Sequence, residues 1–460
     1  MESTRQTSRR SLTELPLHIV AGILAKLDAI QQLFSAILSH RIFRDAFKDN
    51  FHSVARGIIT TQIPPETLPF LIALRESTRV NARDYTAARD LLMRLTTATS
   101  GMTSATLPPS AHLSLSDYNF LSRNYAEAEF LARSMAEEVI PIATQRLSLN
   151  RHSSEISQQE NFRLTRAFLR FQLMVNLFCL DENIERSIDG ETNHLLYLFF
   201  CSFSPWVNGQ LVSVYVYLER KVSDVFDDIV AHEVSWYDMR YTWHHQTTGC
   251  PHIQAYLTQG LPFLSSAVRA KTYDERIHLL GRYGNEVRVA DCNPRRQFLG
   301  CSPYAELLGL GLPGGTLLED YSPAQLELLV RPSDGAQDSM ASDPYHFWYR
   351  ANLGHSILCS VACTRDWKLL EGGYVLWDYA DISEVDFEGL FKELRDKPHY
   401  FQSYRRTWPR GEVLVFQERK KDIHLSGGSG YWPRNGLDFS RIHGLSEETK
   451  TELVKKWKGY

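Results

Sequence analysis

The chain reads as a mostly α protein, on the strength of three apolar stripes and a punctuated N-terminal segment. Leu121, Tyr125, Ala128, Ala132, Met135 and Val139 recur at alternating spacings of four and three. Leu164, Phe168, Phe171, Val175 and Phe178 do the same behind a Ser157-x-x-Glu160 capping box, and so do Leu211, Tyr215, Leu218, Val222, Val225 and Ile229. That period places each set on one face of a helix. Three long helices with aromatic-rich faces need one another to bury them. The stripes are read as core, not as a cofactor box.

In chain order, residues 1–10 (MESTRQTSRR) are polar and read as disordered. Residues 11–50 hold three short amphipathic segments. Pro16 fits the first turn of a helix, where its missing N–H costs nothing. Ile19, Ile23 and Leu27 recur every four residues with Val20 and Leu24 beside them. Asp28 breaks that run, and Ile30, Leu33, Phe34 and Ile37 make a second stripe. Ser39 is the expected N-cap of a third segment, on which Phe43 and Phe47 share a face. So small a unit buries little surface alone and must lean on the following chain or on a partner.

Residues 51–111 read as a helical segment and linker, punctuated by Pro64, Pro65 and Pro69 and ending in a Ser/Thr-rich stretch with Pro108 and Pro109. Residues 112–330 form the helical body, its first long helix expected to stop at Pro141. The apolar run 195–218 is interrupted at Ser204-Pro205 and at 208–210, so it reads as two buried segments joined by a turn, not a membrane span. Helices are expected over 255–270, 273–280, 303–310 and 323–330. Residues 331–344 (RPSDGAQDSMASDP) read by composition as a mobile loop. Residues 345–460 are expected to be mixed, with short strands or buried irregular segments among the aromatic residues of 345–379 and a charged helix over 446–457.

Lys and Arg number 50 against 54 Asp and Glu, a formal charge of -4, which leaves no global basic field for nucleic acid or an anionic membrane. Seven scattered Cys suit reduced thiols, and no continuous apolar leader follows the N-terminus, so a cytoplasmic or nuclear protein is expected. No internal repeat is present.

Gly309-Leu-Gly311-Leu-Pro-Gly314 matches a dinucleotide-binding pattern in letters only, because a helical segment precedes it and a turn follows. His232, His244, His245, Cys250 and His252 are the densest set of potential metal ligands, but neither they nor Cys359 and Cys363 follow a recognised ligand spacing. Hydrogen-bonded His and Tyr at the rim of the body is the plainer reading. No nucleophile elbow or Walker loop is present. No catalytic residue, metal or cofactor is therefore expected, and the chain is read as non-enzymatic.

The segment carrying Leu15-Pro16, Ile19, Ile23-Leu24, Leu27-Asp28, Leu33 and Ile37-Leu38-Ser39…Phe43 resembles the F-box, the adaptor-binding module of cullin-RING ubiquitin ligases. His18 departs from the pattern, which has an acidic residue there. Later segments, FSPWVNGQLVSVYVYL, Gly260-Leu261-Pro262-Phe263-Leu264 and GYVLWDYA, resemble uncharacterised F-box-headed proteins of filamentous fungi. The resemblance implies a substrate receptor of a Skp–cullin–F-box ligase. Leu15, Pro16, Ile19, Val20, Ile23, Leu24 and Leu33 would face the Skp-type adaptor, and through it a cullin, while the body holds a target protein. The alternative is a helical ligand-binding or regulatory protein whose N-terminal helices only complete its core. An enzyme ranks third and would need convergent polar groups around 232–252. Burial of Ile19 and Ile23 separates the first two readings.

Overall fold

The computed structural model describes residues 15–80, 84–100, 113–147, 155–179, 190–237, 250–284, 294, 311–357, 360, 367–379, 386, 389, 410–433 and 437–458. It is mostly helical, as the stripes require. The N-terminal helices are α1 (Leu17–Leu24), α2 (Ile30–Ser39), α3 (Arg41–Asp49), α4 (Phe51–Gln62), α5 (Leu68–Ser77) and α6 (Tyr85–Thr99). The body holds α7 (Leu115–Leu147), α8 (Gln158–Phe178), α9 (Gly190–Cys201), α10 (Pro205–His232), α11 (Pro251–Leu257), α12 (Leu261–Arg269) and α13 (Tyr273–Gly284). Shorter helices follow: α14 (Pro323–Glu327), α15 (Asp343–Ala351), α16 (Trp367–Glu371), α17 (Arg410–Leu425) and α18 (Glu447–Lys458). One small antiparallel pair, β1 (Ser429–Gly430) and β2 (Ile442–His443), sets Ser429 opposite His443.

The axle is α8, buried along nearly its whole length and packed against α5, α7 and α10. Its expected capping box is present: Ser157 N–H donates to Glu160 Oε2 (2.8 Å) and Glu160 N–H to Ser157 Oγ (3.1 Å). Several boundaries differ from the expectation. α7 runs through Pro141 to Leu147, because the proline and Glu137, whose carbonyl loses its partner, both lie on the exposed side. Helix 255–270 is two helices, parted at Gly260 with φ +90°. The interruption expected at Ser204-Pro205 is present, the chain turning at 202–204 before α10 starts at Pro205, whereas the one expected at 208–210 lies inside α10. Ser39 ends α2, and the His40 side chain caps α3 by accepting from Ile42 N–H (3.1 Å). The aromatic stretch after 343 starts as helix, α15, with Tyr345, Phe347 and Trp348 turned inward. Segment 303–310 and the linker beyond Ser100 lie outside the described residues.

The largest correction concerns residues 331–344. Composition suggested a mobile loop. Instead Pro332–Asp334 and Ala336–Asp338 are tight 3₁₀ turns, and Asp334 and Asp338 are sealed in the core. Their partners are Arg163 and Arg166, which with Arg170 make three buried arginines three and four apart on one face of α8. Arg166 Nη2 donates to Asp338 Oδ2 (2.7 Å) and Gln210 Oε1 (2.6 Å), and its Nη1 to the Asp334 carbonyl (2.9 Å). Arg163 Nη1 donates to Asp378 Oδ1 (2.5 Å), Nη2 to the Gln337 carbonyl (3.0 Å), and Nε lies 3.3 Å from Asp338 Oδ1. Arg170 Nη2 donates to Asn208 Oδ1 (2.7 Å) while its guanidinium lies 3.8 Å from the centre of the Phe203 ring. Buried charge is tolerated when it is paired or hydrogen-bonded, as these guanidinium groups are through their Nη atoms. Desolvation raises the Asp334 carboxyl to about 6, against the hydrogen bonds from Ser204 and Arg331 N–H.

A second small core of Val234, Phe416, Ile423, Trp432, Ile442, Leu453 and Trp457 gathers the C-terminal unit at the far end of α10. Buried Lys420 closes that helix by donating to the carbonyls of Val230 (2.6 Å) and Glu233 (3.0 Å). Burial pulls its ammonium down to about 7, against the upward pull of Glu233. Among the described residues no single helix is long and apolar enough to cross a membrane. The one pair that passes together, His194–Cys201 with Pro205–His232, bends by 105°.

Candidate partner-binding surface

The N-terminal head is fixed to the body from one side. Val20, Ala21 and Leu24 of α1 and Ile30 and Leu33 of α2 are buried in the same core as α4 and α7. Polar contacts set the register. The Ser122 hydroxyl on α7 donates to Gln62 Oε1 (2.7 Å) and accepts from Ile30 N–H (3.4 Å), and Gln31 Nε2 donates to Asn119 Oδ1 (3.2 Å). α4 comes close to the end of α1 because position 57 is glycine: a Cβ there would stand 2.7 Å from Ala25 Cβ. Pro16 precedes α1, one place before the expected first turn, and its carbonyl accepts from Ile19 and Val20 N–H.

The other side is bare. Ile19 is 44% exposed and Ile23 47%, one turn apart on α1; Phe34 is 43% and Leu38 85%, one turn apart on α2. Leu17 and Pro16 are exposed beside them and Leu15 is half-buried. α2 has no ionisable side chain, and His18 is the only one on α1. The result is two uncharged apolar stripes in water, a feature that marks interaction surfaces when it is contiguous. Nothing in this arrangement does bond chemistry; it can bind.

The seven residues expected to face an adaptor therefore divide. Pro16, Ile19 and Ile23 are outward and Leu15 is partly so. Val20, Leu24 and Leu33 are not available, and the expectation is corrected for them: they are turned toward the body, where they hold the head down. Sequence reading left Leu38 out of the docking set, although it is four residues from Phe34 on the same face. It also passed over Arg163, Arg166 and Arg170, which read locally as a solvated face.

The His-rich stretch gives no convergent site within view. His232 is buried, with Nδ1 2.8 Å from the Trp432 carbonyl and its ring stacked on Tyr431. His252 stacks on Phe226. No three His, Cys, Asp or Glu side chains stand together as a metal set among the described residues; His244, His245, Cys359 and Cys363 lie outside them. Compared with protein-family models, curated proteins and solved structures, the chain matches none.

Proposed function

We propose that this chain is a substrate-receptor subunit of a Skp–cullin–F-box ubiquitin ligase, docking on the Skp-type adaptor through α1 and α2 and holding a target protein on its body. The observation that supports the reading is the pair of bare stripes, Ile19 with Ile23 and Phe34 with Leu38, on helices whose reverse faces are locked into the core. Such a helix face laid against a partner's groove buries each anchor at little ordering cost. The receptor does no chemistry itself. It raises the effective concentration of a target beside the ubiquitin-charged enzyme, and it does so in the cytoplasm or nucleus.

Co-expression with a Skp-type adaptor tests this. Ile19→Asp with Ile23→Asp should weaken adaptor binding by roughly thirtyfold or more, the scale of a hot-spot loss of about 2 kcal/mol. The unfolding midpoint should fall far less than the adaptor binding, since nearly half of each side chain is already in solvent. Undiminished capture of the adaptor would remove this face from the interface. The competing scaffold reading draws on Val20, Leu24 and Leu33, which share one core with the body. In that reading the double variant has no partner to lose.

A further inference from the structure

The C-terminal unit that begins at α17 has a core of its own, and of the seven residues buried in it only Val234 belongs to the body. The joint between the two lies at the end of α10. Trp432 N–H donates to the His232 carbonyl (2.8 Å), the Trp432 carbonyl lies 2.8 Å from His232 Nδ1, and Gly430 N–H donates to Glu233 Oε1 (3.3 Å). Lys420 stands inside this joint, 1% exposed, its Nζ held by the Val230 and Glu233 carbonyls. Both acceptors are neutral, and among the described residues no carboxylate is in an ion pair with Nζ. An ammonium has three N–H donors and a neutral amine two. Two carbonyls therefore satisfy the amine and leave the ammonium with a donor to spare, and burial without a paired counter-charge works in the same direction. Glu233 is the charged group that acts on Lys420, but its carboxylate is taken by Tyr273 Oη, by Ser235 N–H and Oγ and by Gly430 N–H. The other charges around the joint are matched among themselves: Asp228 with Arg276 (2.9 Å), Asp274 with Arg441 (2.7 Å), Asp422 with Lys456 (2.7 Å) and Glu418 with Lys421 (3.9 Å). Arg419 lies over the Trp457 ring, His424 stacks on Tyr237, and burial pushes the Tyr273 and Tyr431 phenols upward, so both stay neutral. His232 acts with the opposite sign, since a proton on its ring would face Asp228 Oδ1 at 3.9 Å.

We propose that the C-terminal unit is a proton-operated latch: it seats on the end of α10 with Lys420 as the neutral amine, and a proton taken up at Lys420 releases it while the helical body stays folded. Released, the amine reaches water and returns from about 7 to its ordinary 10.5, so opening binds a proton. Opening therefore grows as pH falls below the higher value and levels off below the lower one. Linkage between those two values makes the unit open about fivefold more often at pH 7 than at pH 8, and only about twofold more at pH 6 than at pH 7. A small core with one residue shared with the body offers little else to hold the unit down. The latch does not depend on the receptor reading above.

Amide hydrogen exchange of the full chain, followed from about pH 6 to 9 and corrected for the intrinsic rate, tests this. Amides of residues 230–236 and 416–432 should open at least roughly tenfold more often than those of 164–175 in α8, and should show the fivefold step between pH 7 and 8. Lys420→Met and Lys420→Gln, neither of which titrates, should remove that step, whatever they do to the level of opening. Equal opening at the joint and in α8 would mean that the unit leaves only when the whole chain unfolds, and would overturn the latch. So would opening that ignores pH, or a pH step that survives in both variants, which would assign the proton to another group such as His232. Were neither variant to fold, nitrogen NMR of the Lys420 amine in the intact chain decides the matter: a neutral amine near about pH 9 is expected, and an ammonium still charged there would overturn the proposal.

Discussion

The N-terminal head and the arginine centre distribute polarity in opposite ways. On α1 and α2 aliphatic and aromatic side chains stand in water, while on α8 three guanidinium groups are sealed inside the protein. Removing Leu38 takes little from the fold, because most of its surface already meets water, and Ile19 and Ile23 are only about half covered. Removing Arg166 takes the ion-pair partner from Asp338 Oδ2 inside the core, and the fold bears the penalty. A bare apolar stripe therefore speaks about partners, and a buried ion cluster about how one section of chain is held to another.

The hardest blow to that contrast is Arg166→Met. It should cost about 3–5 kcal/mol in a urea titration, since it takes the guanidinium from buried Asp338 Oδ2, although Gln210 Nε2 and the Arg163 Nε remain on Oδ1. Adding Asp338→Leu should recover much of the loss; if the double variant is no better, Asp338 is not the group affected. Next comes a comparison along α2 itself. Leu33→Ala should cost about 2–4 kcal/mol as a core truncation, whereas Leu38→Ala, five residues on, should stay within about 0.5 kcal/mol. Similar losses at both positions would mean that the two faces of α2 are not distinct. Gly57→Ala should cost about 1–3 kcal/mol through overpacking against Ala25, read as a lowered midpoint. Near neutral pH the gentlest effect belongs to Lys420. Its pKa is depressed in the folded chain to about 7 from 10.5, so between those values the unfolded chain holds more protons and stability rises with pH. Lys420→Met should flatten that rise in urea midpoints measured across the window.

Local pattern carried the long helices well. The stripes of α7, α8 and α10 and the capping box at Ser157 depend only on neighbours within a turn or two, and they are where the spacing put them. The head's three helices were legible for the same reason, though not which face of each is bare, because Val20 and Ile19 are equally apolar and only the body decides between them. Residues 331–344 were misread for the converse reason. Their Asp, Ser and Gly content matches loops in general, and the arginines that make them core lie about 170 positions earlier in the chain. Each half of that pair looks like surface on its own. The aromatic stretch around α15 failed more simply: β-propensity follows burial, and a buried helix satisfies it as well as a strand.

α10 ties these regions into a single device. Its first turns supply Asn208 and Gln210 to the arginines, and its last carbonyls receive Lys420 from the C-terminal unit. At about 1.5 Å per residue its 28 residues make a rod of about 42 Å. Both of its ends are keyed, so the rod fixes an angle as well as a length. One extra residue spliced into its middle would swing one key about 100° away from its lock, and seven would bring it nearly home again.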